Sequence, residues 1–220
     1  MSVIITVANN KGGVGKTTTA ANLGAGLRLR GKNVLLVDLD AQANLTETFN
    51  NGLNPQGTTR VYKAARGAGF LDILPFGNLE AVADLKQYRR KYDFIVVDTP
   101  PALSERTLEA LDLSQVAILT VQPHYLAAQG LVKIIDTYKA RKKRPAFAVL
   151  ITQYDRRKYI HRATEAAIRR DFPTFITTVR NNITLAEAPA ARASIFEYAP
   201  KSHGAEDYGK VCDELLKAIK

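Results

Sequence analysis

The chemistry of this chain is concentrated in a glycine-rich stretch near its start, NNKGGVGKTT at residues 9–18. Its glycines let the backbone curl so that several N–H groups point inward at phosphate oxygens, and a helix that begins near Lys16 adds its positive dipole end. Lys16 is placed to reach the β and γ phosphates of a nucleotide, and the hydroxyl of Thr17 can ligate Mg²⁺. One lysine is enough for such a site, so Lys11 needs an explanation of its own. The predicted phosphate-binding residues are Lys11, Gly12, Gly13, Val14, Gly15, Lys16, Thr17 and Thr18.

Two acidic stretches accompany this loop. VVDTPP places Asp98 after an apolar run, where a carboxylate can hold the water shell of Mg²⁺. LLVDLDAQ places Asp38 and Asp40 at the end of an earlier run, and alternation along a strand points both side chains the same way. One of the two can orient an attacking water while the other supports the loop or the metal. A solvated acidic turn is the simpler alternative. The predicted metal set is Thr17, Asp38 and Asp98, acting through the nucleotide and water.

These residues must be positioned by short apolar runs that are rich in β-branched residues. Several runs are continuously apolar, which is typical of strands buried on both faces. Helical spacing lies between them, as in residues 20–27 before Gly31 and again in residues 131–138. The pattern predicts one α/β domain over residues 1–220, with a mostly parallel twisted sheet, helices on both faces and ligands at the carboxyl ends of the strands. The runs are VIITVA (3–8), NVLLVDL (33–39), FLDILPF (70–76), DFIVVD (93–98), QVAILTVQ (115–122), AFAVLIT (146–152) and TFITTV (174–179).

Composition narrows the classes of function. With a single cysteine, Cys212, the chain has no intramolecular disulfide and no cysteine-ligated cluster of its own, and we expect this residue to pack in the core on a terminal helix. The three histidines match no metal-ligand spacing, so we expect no metal site made from side chains alone. The chain lacks a signal-peptide pattern, and no stretch approaches the roughly 18 apolar residues that span a bilayer. A soluble cytoplasmic protein is expected.

The net charge of +10 is concentrated in one segment. Residues 137–180 hold twelve Lys or Arg against three Asp or Glu, and such a local excess favours a polyanion such as nucleic acid, or else an acidic membrane surface. A helix within this segment is predicted to carry Lys158, Arg162 and Arg169 on one face with His161 beside them. The opposite face would hold Ile160, Ala163 and Ala167. A solvated outer face of a surface helix is the alternative explanation for these charges.

The order and spacing of these motifs resemble those of a known family. KGGVGKTT, VDLDAQ and VVDTPP, in this order and spacing, are similar to the deviant Walker-A ATPases of the ParA/MinD class, the SIMIBI-type P-loop proteins. The similarity continues through TVQPHYLAAQGL (120–131) and through LITQYDRR (150–157), which resembles the family's TMYDxR stretch. LAEAPA and EYAPKSHGAEDY resemble the LSEAPS and YDPKSRGAE signatures of ParA-type segregation ATPases. The resemblance covers essentially the whole chain and is nearest to the short, Soj-like ParA form without an N-terminal helix-turn-helix.

The resemblance implies an ATP-dependent homodimer with two nucleotides sandwiched face to face. Lys11 would cross to the partner's phosphates, Asp40 would activate water, and Asp98 would support Mg²⁺, so that Lys11, Lys16 and Asp40 form the catalytic set. Asn182 and Pro189 would lie near the adenine, and the lack of an NKxD-type guanine motif favours ATP over GTP. Hydrolysis would be slow and stimulated by a ParB-like or other adaptor, and the ATP-bound dimer would bind DNA without sequence preference.

Three departures from the family pattern bear on these expectations. Ala41 replaces the usual proline after the second aspartate, which should loosen that turn slightly. The chain begins at its first strand, which fits a form that does not itself recognise an operator. Residues that are usually basic are here Asn181, Thr184 and His203, so charge for DNA binding must come partly from elsewhere. Nearby basic residues include Lys201, and the predicted DNA-contact set is Lys158, Arg162, Arg169, Arg180 and Arg192.

The leading hypothesis is therefore a nucleoid-associated ParA-type ATPase that positions a plasmid, a chromosome locus or another cargo. A MinD-like membrane ATPase is the first alternative, but the chain ends at Lys220 without an appended amphipathic tail, and the final apolar face is better explained by a helix docked on the sheet. A nucleotide-switched scaffold with negligible hydrolysis is the second, and the presence of Asp40 argues against it. An electron-transfer relative of the nitrogenase iron protein is excluded by the single cysteine.

Overall fold

The computed structural model describes residues 2–49, 58–62, 67–77, 82–125, 127–139 and 145–219. Its strands are β1 (Val3–Ala8), β2 (Val34–Asp38), β3 (Thr59–Tyr62), β4 (Leu71–Leu74), β5 (Phe94–Asp98), β6 (Val116–Val121) and β7 (Ala146–Ile151). Its helices are α1 (Lys16–Leu29), α2 (Asn44–Thr48), a 3₁₀ helix (Val82–Arg90), α3 (Glu105–Leu113), α4 (Ala127–Lys139), α5 (Tyr159–Asp171), α6 (Ile183–Glu187), α7 (Ile195–Tyr198) and α8 (His203–Ala218).

The strands form one sheet in the order β3-β4-β2-β5-β1-β6-β7, in which every neighbouring pair is parallel except the antiparallel edge pair β3 and β4. β2 and β5 are buried along their whole length, as expected for strands covered on both faces. Their register pairs Asp38 with Asp98, so the two predicted acidic signals end at the same level of adjacent strands. The predicted α/β class with a mostly parallel sheet is confirmed.

Helices cover both faces of this sheet, because alternate residues of each strand point to opposite sides. On one face Leu36 joins a core with residues of α1 and α8, while on the other Leu35 packs with Leu85 of the 3₁₀ helix and with a residue of α3. α4 and α5 cover the β6 and β7 end on that second face. The terminal helix docks as predicted, and Cys212 is fully buried in the core.

Two features of the sheet differ from the sequence-based expectation. The strand predicted at 174–179 is wrong: Thr174 and Arg180 make only isolated bridges beside β7. Between them the carboxylate of Glu214 accepts hydrogen bonds from the N–H groups of Ile176 and Thr177, so those groups are not available to a continuous ladder. The edge strand β3 was missed because Thr59–Tyr62 contains no apolar run.

Among the described helices, none has the length and apolarity needed to cross a bilayer.

Candidate functional site

A cleft of about 690 Å³ lies where the carboxyl ends of the parallel strands meet the start of α1. One wall is the phosphate loop and another is the segment after β2, which contributes Asp40. The third wall comes from α6 and the turn that follows it, including Pro189 and Arg192. This position is the one that strand topology predicts for a ligand in a parallel sheet.

The phosphate loop takes a shape that depends on its glycines. Gly13 and Gly15 have φ angles of 71° and 82°, in the left-handed region that residues with a Cβ rarely adopt. Gly15 is the N-cap of α1, and no side chain caps this helix, whereas Ser104, Asn182 and Ser202 cap α3, α6 and α8. The N–H groups of the first turn of α1 are therefore left for an external acceptor, which is the arrangement of an anion site.

The two lysines of the loop occupy different environments. Lys16 is only 6% exposed, lines the cleft and donates from Nζ to the carbonyl of Lys11 at 3.0 Å. Burial lowers the pKa of the Lys16 ammonium, and the carboxylates of Asp98 and Asp40 only partly oppose this effect. The Lys11 side chain is exposed and does not line the cleft. An outward-facing lysine is compatible with a role toward a second chain, which stays a prediction.

Asp98 is the strongest indication of a cation in this site. Its side chain is fully buried, and among the described residues neither carboxylate oxygen finds a hydrogen-bond partner of normal geometry. Burial raises the pKa of Asp98 to about 8, although the Thr17 hydroxyl and the Lys16 ammonium lower it in part. A buried carboxylate without donors is costly unless a cation or its water shell completes it. With Thr17 on the wall of the cleft, the residues fit the predicted magnesium site.

Asp38 is held by hydrogen bonds from the segment that follows β2. Its Oδ1 accepts from the N–H of Asp40 at 3.0 Å, and its Oδ2 accepts from the N–H and hydroxyl of Thr46 at 2.8 and 2.7 Å. Burial raises the pKa of Asp38, and the hydrogen bonds from Thr46 act against that rise. Of the two roles left open for this residue, support of the loop fits these contacts better than metal binding.

Asp40 lines the cleft and is held by the turn that Asp38 supports. Its Oδ1 accepts from the N–H of Gln42 at 3.0 Å, and no hydrogen bond to its Oδ2 is found within the described part of the chain. The turn is intact although Ala41 stands where the family has proline. A carboxylate with one oxygen anchored and one free is suited to hold a water molecule.

The predicted adenine contacts are separated by the structure. Pro189 lines the cleft, whereas Asn182 does not, because its Oδ1 caps α6 by accepting from the N–H and hydroxyl of Thr184. Arg192, predicted for DNA, instead lines the cleft with a left-handed φ of 53°. Sequence reasoning missed Asn22, which lines the cleft and whose Oδ1 accepts from the N–H of Ile195 at the start of α7. No spacing rule would have singled it out inside a helix.

The buried face predicted for α5 is wrong, whereas Lys158 and Arg162 are exposed, as predicted for the outer face. His161 is 4% exposed and Ile160 is 42% exposed, so the histidine points inward and the isoleucine outward. The buried stripe is His161, Thr164 and Ile168, at i, i+3 and i+7. His161 can be buried because its Nδ1 accepts from the N–H of Asp155 at 3.0 Å. Burial lowers the pKa of His161, which favours this neutral form.

Two of the predicted DNA-contact residues are engaged in internal bonds. Arg169 donates to Glu165 and to the carbonyls of Phe175 and Ile176, and Arg180 donates to Asp207 and Glu206. Lys158 and Arg162 are exposed on α5. Four further charges of the basic segment, at positions 141–144, lie outside the described residues.

We expect Arg180→Ala to lower the free energy of unfolding by about 2–3 kcal/mol, because Asp207, which is 3% exposed, would lose its ion pair. The value is below that of a fully buried pair because the Arg180 side chain is 35% exposed. Urea unfolding measures it. The control is Arg170→Ala, whose solvent-exposed pair with Asp171 should contribute little to stability. Equal losses in both variants would contradict an internal structural role for Arg180.

Comparison with known proteins agrees with this geometry. Residues 5–195 match the family described as the CobQ/CobB/MinD/ParA nucleotide binding domain. The chain is 34% identical to the chromosome-partitioning ATPase Soj of Thermus thermophilus, over 98% of this chain and 96% of that protein. It is 31% identical to the sporulation initiation inhibitor protein Soj of Bacillus subtilis, over 98% of both chains. Among solved structures, the septum site-determining protein MinD of Pyrococcus horikoshii, complexed with Mg-ADP, superposes with a TM-score of 0.83 at 25% identity, covering 100% of this chain and 98% of that one.

Proposed function

We infer that this chain, which belongs to the CobQ/CobB/MinD/ParA family of nucleotide-binding domains, is a ParA-type partition ATPase that binds ATP with Mg²⁺ and hydrolyses it. The observation that carries the proposal is the uncapped start of α1 at the cleft, together with the buried carboxylate of Asp98, for which the described residues supply no hydrogen bond of normal geometry. A bound polyanion would accept hydrogen bonds from the free N–H groups at the start of α1, and its divalent cation would neutralise the carboxylate of Asp98. Relatives at 34% and 31% identity over nearly the whole chain support the partition branch.

The residues of the cleft divide the work of phosphoryl transfer to water. The first turn of α1 holds phosphate oxygens, and Lys16 exchanges the Lys11 carbonyl for a phosphate. Asp98 and Thr17 would hold Mg²⁺, which would neutralise charge on the phosphates. Asp38 fixes the turn that carries Asp40, and Asp40 holds and orients the attacking water. Positioning and charge neutralisation provide most of the catalysis in this chemistry.

We propose that ATP brings two copies together with Lys11 of each chain reaching the nucleotide of the other. The exposed side chain of Lys11, in the same loop as the buried Lys16, supports this role. The dimer would bind DNA without sequence preference through exposed charges such as Lys158 and Arg162, and would associate with the nucleoid in the cytoplasm. An adaptor that stimulates hydrolysis would then release the dimer from DNA and move the cargo.

Membrane binding by the terminal helix is disfavoured, because the apolar face of α8 is already packed in the core.

The test is dimerisation and DNA binding with Mg-ATP. Wild-type protein is expected to dimerise by light scattering and to bind a random-sequence duplex, with an affinity that falls steeply with salt because phosphate contacts dominate. Lys11→Ala should keep Mg-ADP binding in the monomer but lose the ATP-dependent dimer and hydrolysis. The control is Lys86→Ala, an exposed lysine of the 3₁₀ helix that does not line the cleft. The proposal fails if the wild type forms no dimer and shows no salt-sensitive DNA binding.

A further inference from the structure

The phosphate loop is held by three side chains that follow β6 and β7, one of which, Gln153, also lines the cleft. Gln122 and Gln153 each donate from Nε2 to the carbonyl of Gly13 at 2.8 Å. Thr152 donates from its hydroxyl to the carbonyl of Val14 at 2.9 Å. We call these three residues the carbonyl clamp. It binds two consecutive carbonyls of the loop whose N–H groups serve the phosphates.

The orientation of the two amides follows from their partners. The Gly13 carbonyl can only accept, so the atom of each glutamine that faces it must be nitrogen. The Nε2 of Gln122 also donates to the Oε1 of Gln153 at 2.5 Å, which makes the two amides one unit. The Oε1 of Gln122 then faces the Nε2 of His124 at 3.1 Å and accepts from it. In this network each amide nitrogen faces an oxygen, and each amide oxygen faces a nitrogen.

Backbone strain at Gln153 points to a role for its side chain. Its φ is 51°, one of three positive values among non-glycine residues in the part of the chain that the structure describes. A non-glycine residue in this conformation is disfavoured by roughly 1 kcal/mol and persists where the surroundings require it. Here the conformation accompanies the contact of the side chain with Gly13. Position 153 is also where the resembled TMYDxR stretch has methionine, which has no donor for a carbonyl.

We propose that Gln122 and Gln153 are positioning residues for nucleotide binding, which fix the Gly13 carbonyl away from the phosphate site. Gly13 is exposed and has no side chain to restrict it, so its peptide can rotate when the carbonyl is free. Rotation turns an oxygen toward the phosphates in place of an N–H, and an oxygen repels a phosphate. The clamp therefore holds the nucleotide-free loop in the conformation that binds the anion. This inference rests on the proposed ATP binding.

The experiment replaces each glutamine with methionine, which keeps the length of the side chain and removes the donor. Gln122→Met and Gln153→Met are expected to raise the Kd of Mg-ADP by about threefold to tenfold each, the range of one net hydrogen bond. The double variant should lose less than the product of the two single losses, because both amides hold the same carbonyl. The KM for ATP should rise by a similar factor while kcat changes less than about twofold, since the loop binds the ground and transition states alike. Isothermal titration calorimetry and steady-state kinetics measure these values.

The control is Gln87→Met, an exposed glutamine of the 3₁₀ helix that does not line the cleft. Unfolding of the nucleotide-free variants separates positioning from general stability, because a positioning role leaves the midpoint unchanged. The proposal is overturned if wild type and variants bind Mg-ADP equally, if kcat falls with KM unchanged, or if stability falls in step with affinity. If the wild type itself does not bind Mg-ADP, the proposed function and this inference fail together, whereas equal binding by all forms removes only the clamp.

Discussion

Lys16→Ala is expected to weaken Mg-ATP binding by roughly 30-fold to several thousand-fold, the range for removing one partner of a buried charge pair, about 2–5 kcal/mol. Lys16 is nearly buried, and its ammonium already has a lowered pKa because of burial, so it is held in a low-dielectric site where a phosphate would interact strongly with it. Truncation removes the ammonium that interacts with the carboxylates of Asp98 and Asp40 and that would bind the phosphates. The result is a loss of ground-state binding as well as of hydrolysis.

Titration calorimetry on the monomer with Mg-ADP and with a non-hydrolysable ATP analogue measures this loss. The fold should persist, because the only hydrogen bond of Lys16 Nζ within the described residues goes to a carbonyl of the loop itself. Lys11→Ala is the matched variant, since it removes the same charge from the same loop at an exposed position. If both variants bound nucleotide equally well, the two lysines would not have separate roles and the assignment of Lys16 would be wrong.

Asp98→Asn is expected to stabilise the nucleotide-free protein above pH 8 while abolishing Mg²⁺-dependent hydrolysis. The pKa of Asp98 is raised to about 8 in the folded state, whereas an unfolded aspartate titrates near 4. Between these values the folded state keeps a proton that the unfolded state has lost, so wild-type stability falls as the pH rises from about 4 to 8. At higher pH the ionised carboxylate costs on the order of 3–5 kcal/mol, a cost that asparagine does not have.

Urea unfolding at pH 5, 7 and 9 checks this expectation. The curve of the variant should be flatter than that of the wild type, although not flat, because burial also raises the pKa of Asp38 and that residue remains. Adding Mg-ADP at pH 8 should restore stability to the wild type but much less to the variant. Asp72→Asn is a useful comparison, because this buried aspartate already accepts from the Tyr92 hydroxyl and pairs with Lys91, so its loss should destabilise. A variant of Asp98 with the wild-type pH slope would contradict the assignment.

The site could be predicted from the sequence wherever backbone geometry determines it. The glycines at 13 and 15, the register that aligns Asp38 with Asp98 and the start of α1 all follow from local pattern and strand topology. The roles of long polar side chains could not be predicted in this way. Arg180 is positive in the sequence but is neutralised by Asp207, which is 27 residues away, and only tertiary packing brings the two together.

The same limit explains why the buried face of α5 was predicted wrongly. Its residues include alanines and a histidine, whose burial depends on whether a partner is available rather than on hydrophobicity. The N–H of Asp155, which lies before the helix begins, supplies that partner to His161. Asn182 illustrates the converse, because a polar side chain that could face a base is used instead to begin α6.

The uncapped start of α1 has a consequence for the lifetime of the protein in the cell. A capping side chain contributes typically about 1 kcal/mol to a helix, and α1 begins without one. ATP therefore completes a secondary-structure element as well as serving as the substrate. A copy that has released its nucleotide has an uncapped helix start in the same chain as the buried carboxylate of Asp98. Starvation for ATP should accordingly expose the empty form to proteolysis, and the abundance of the protein would follow the energy state of the cell without a dedicated regulator.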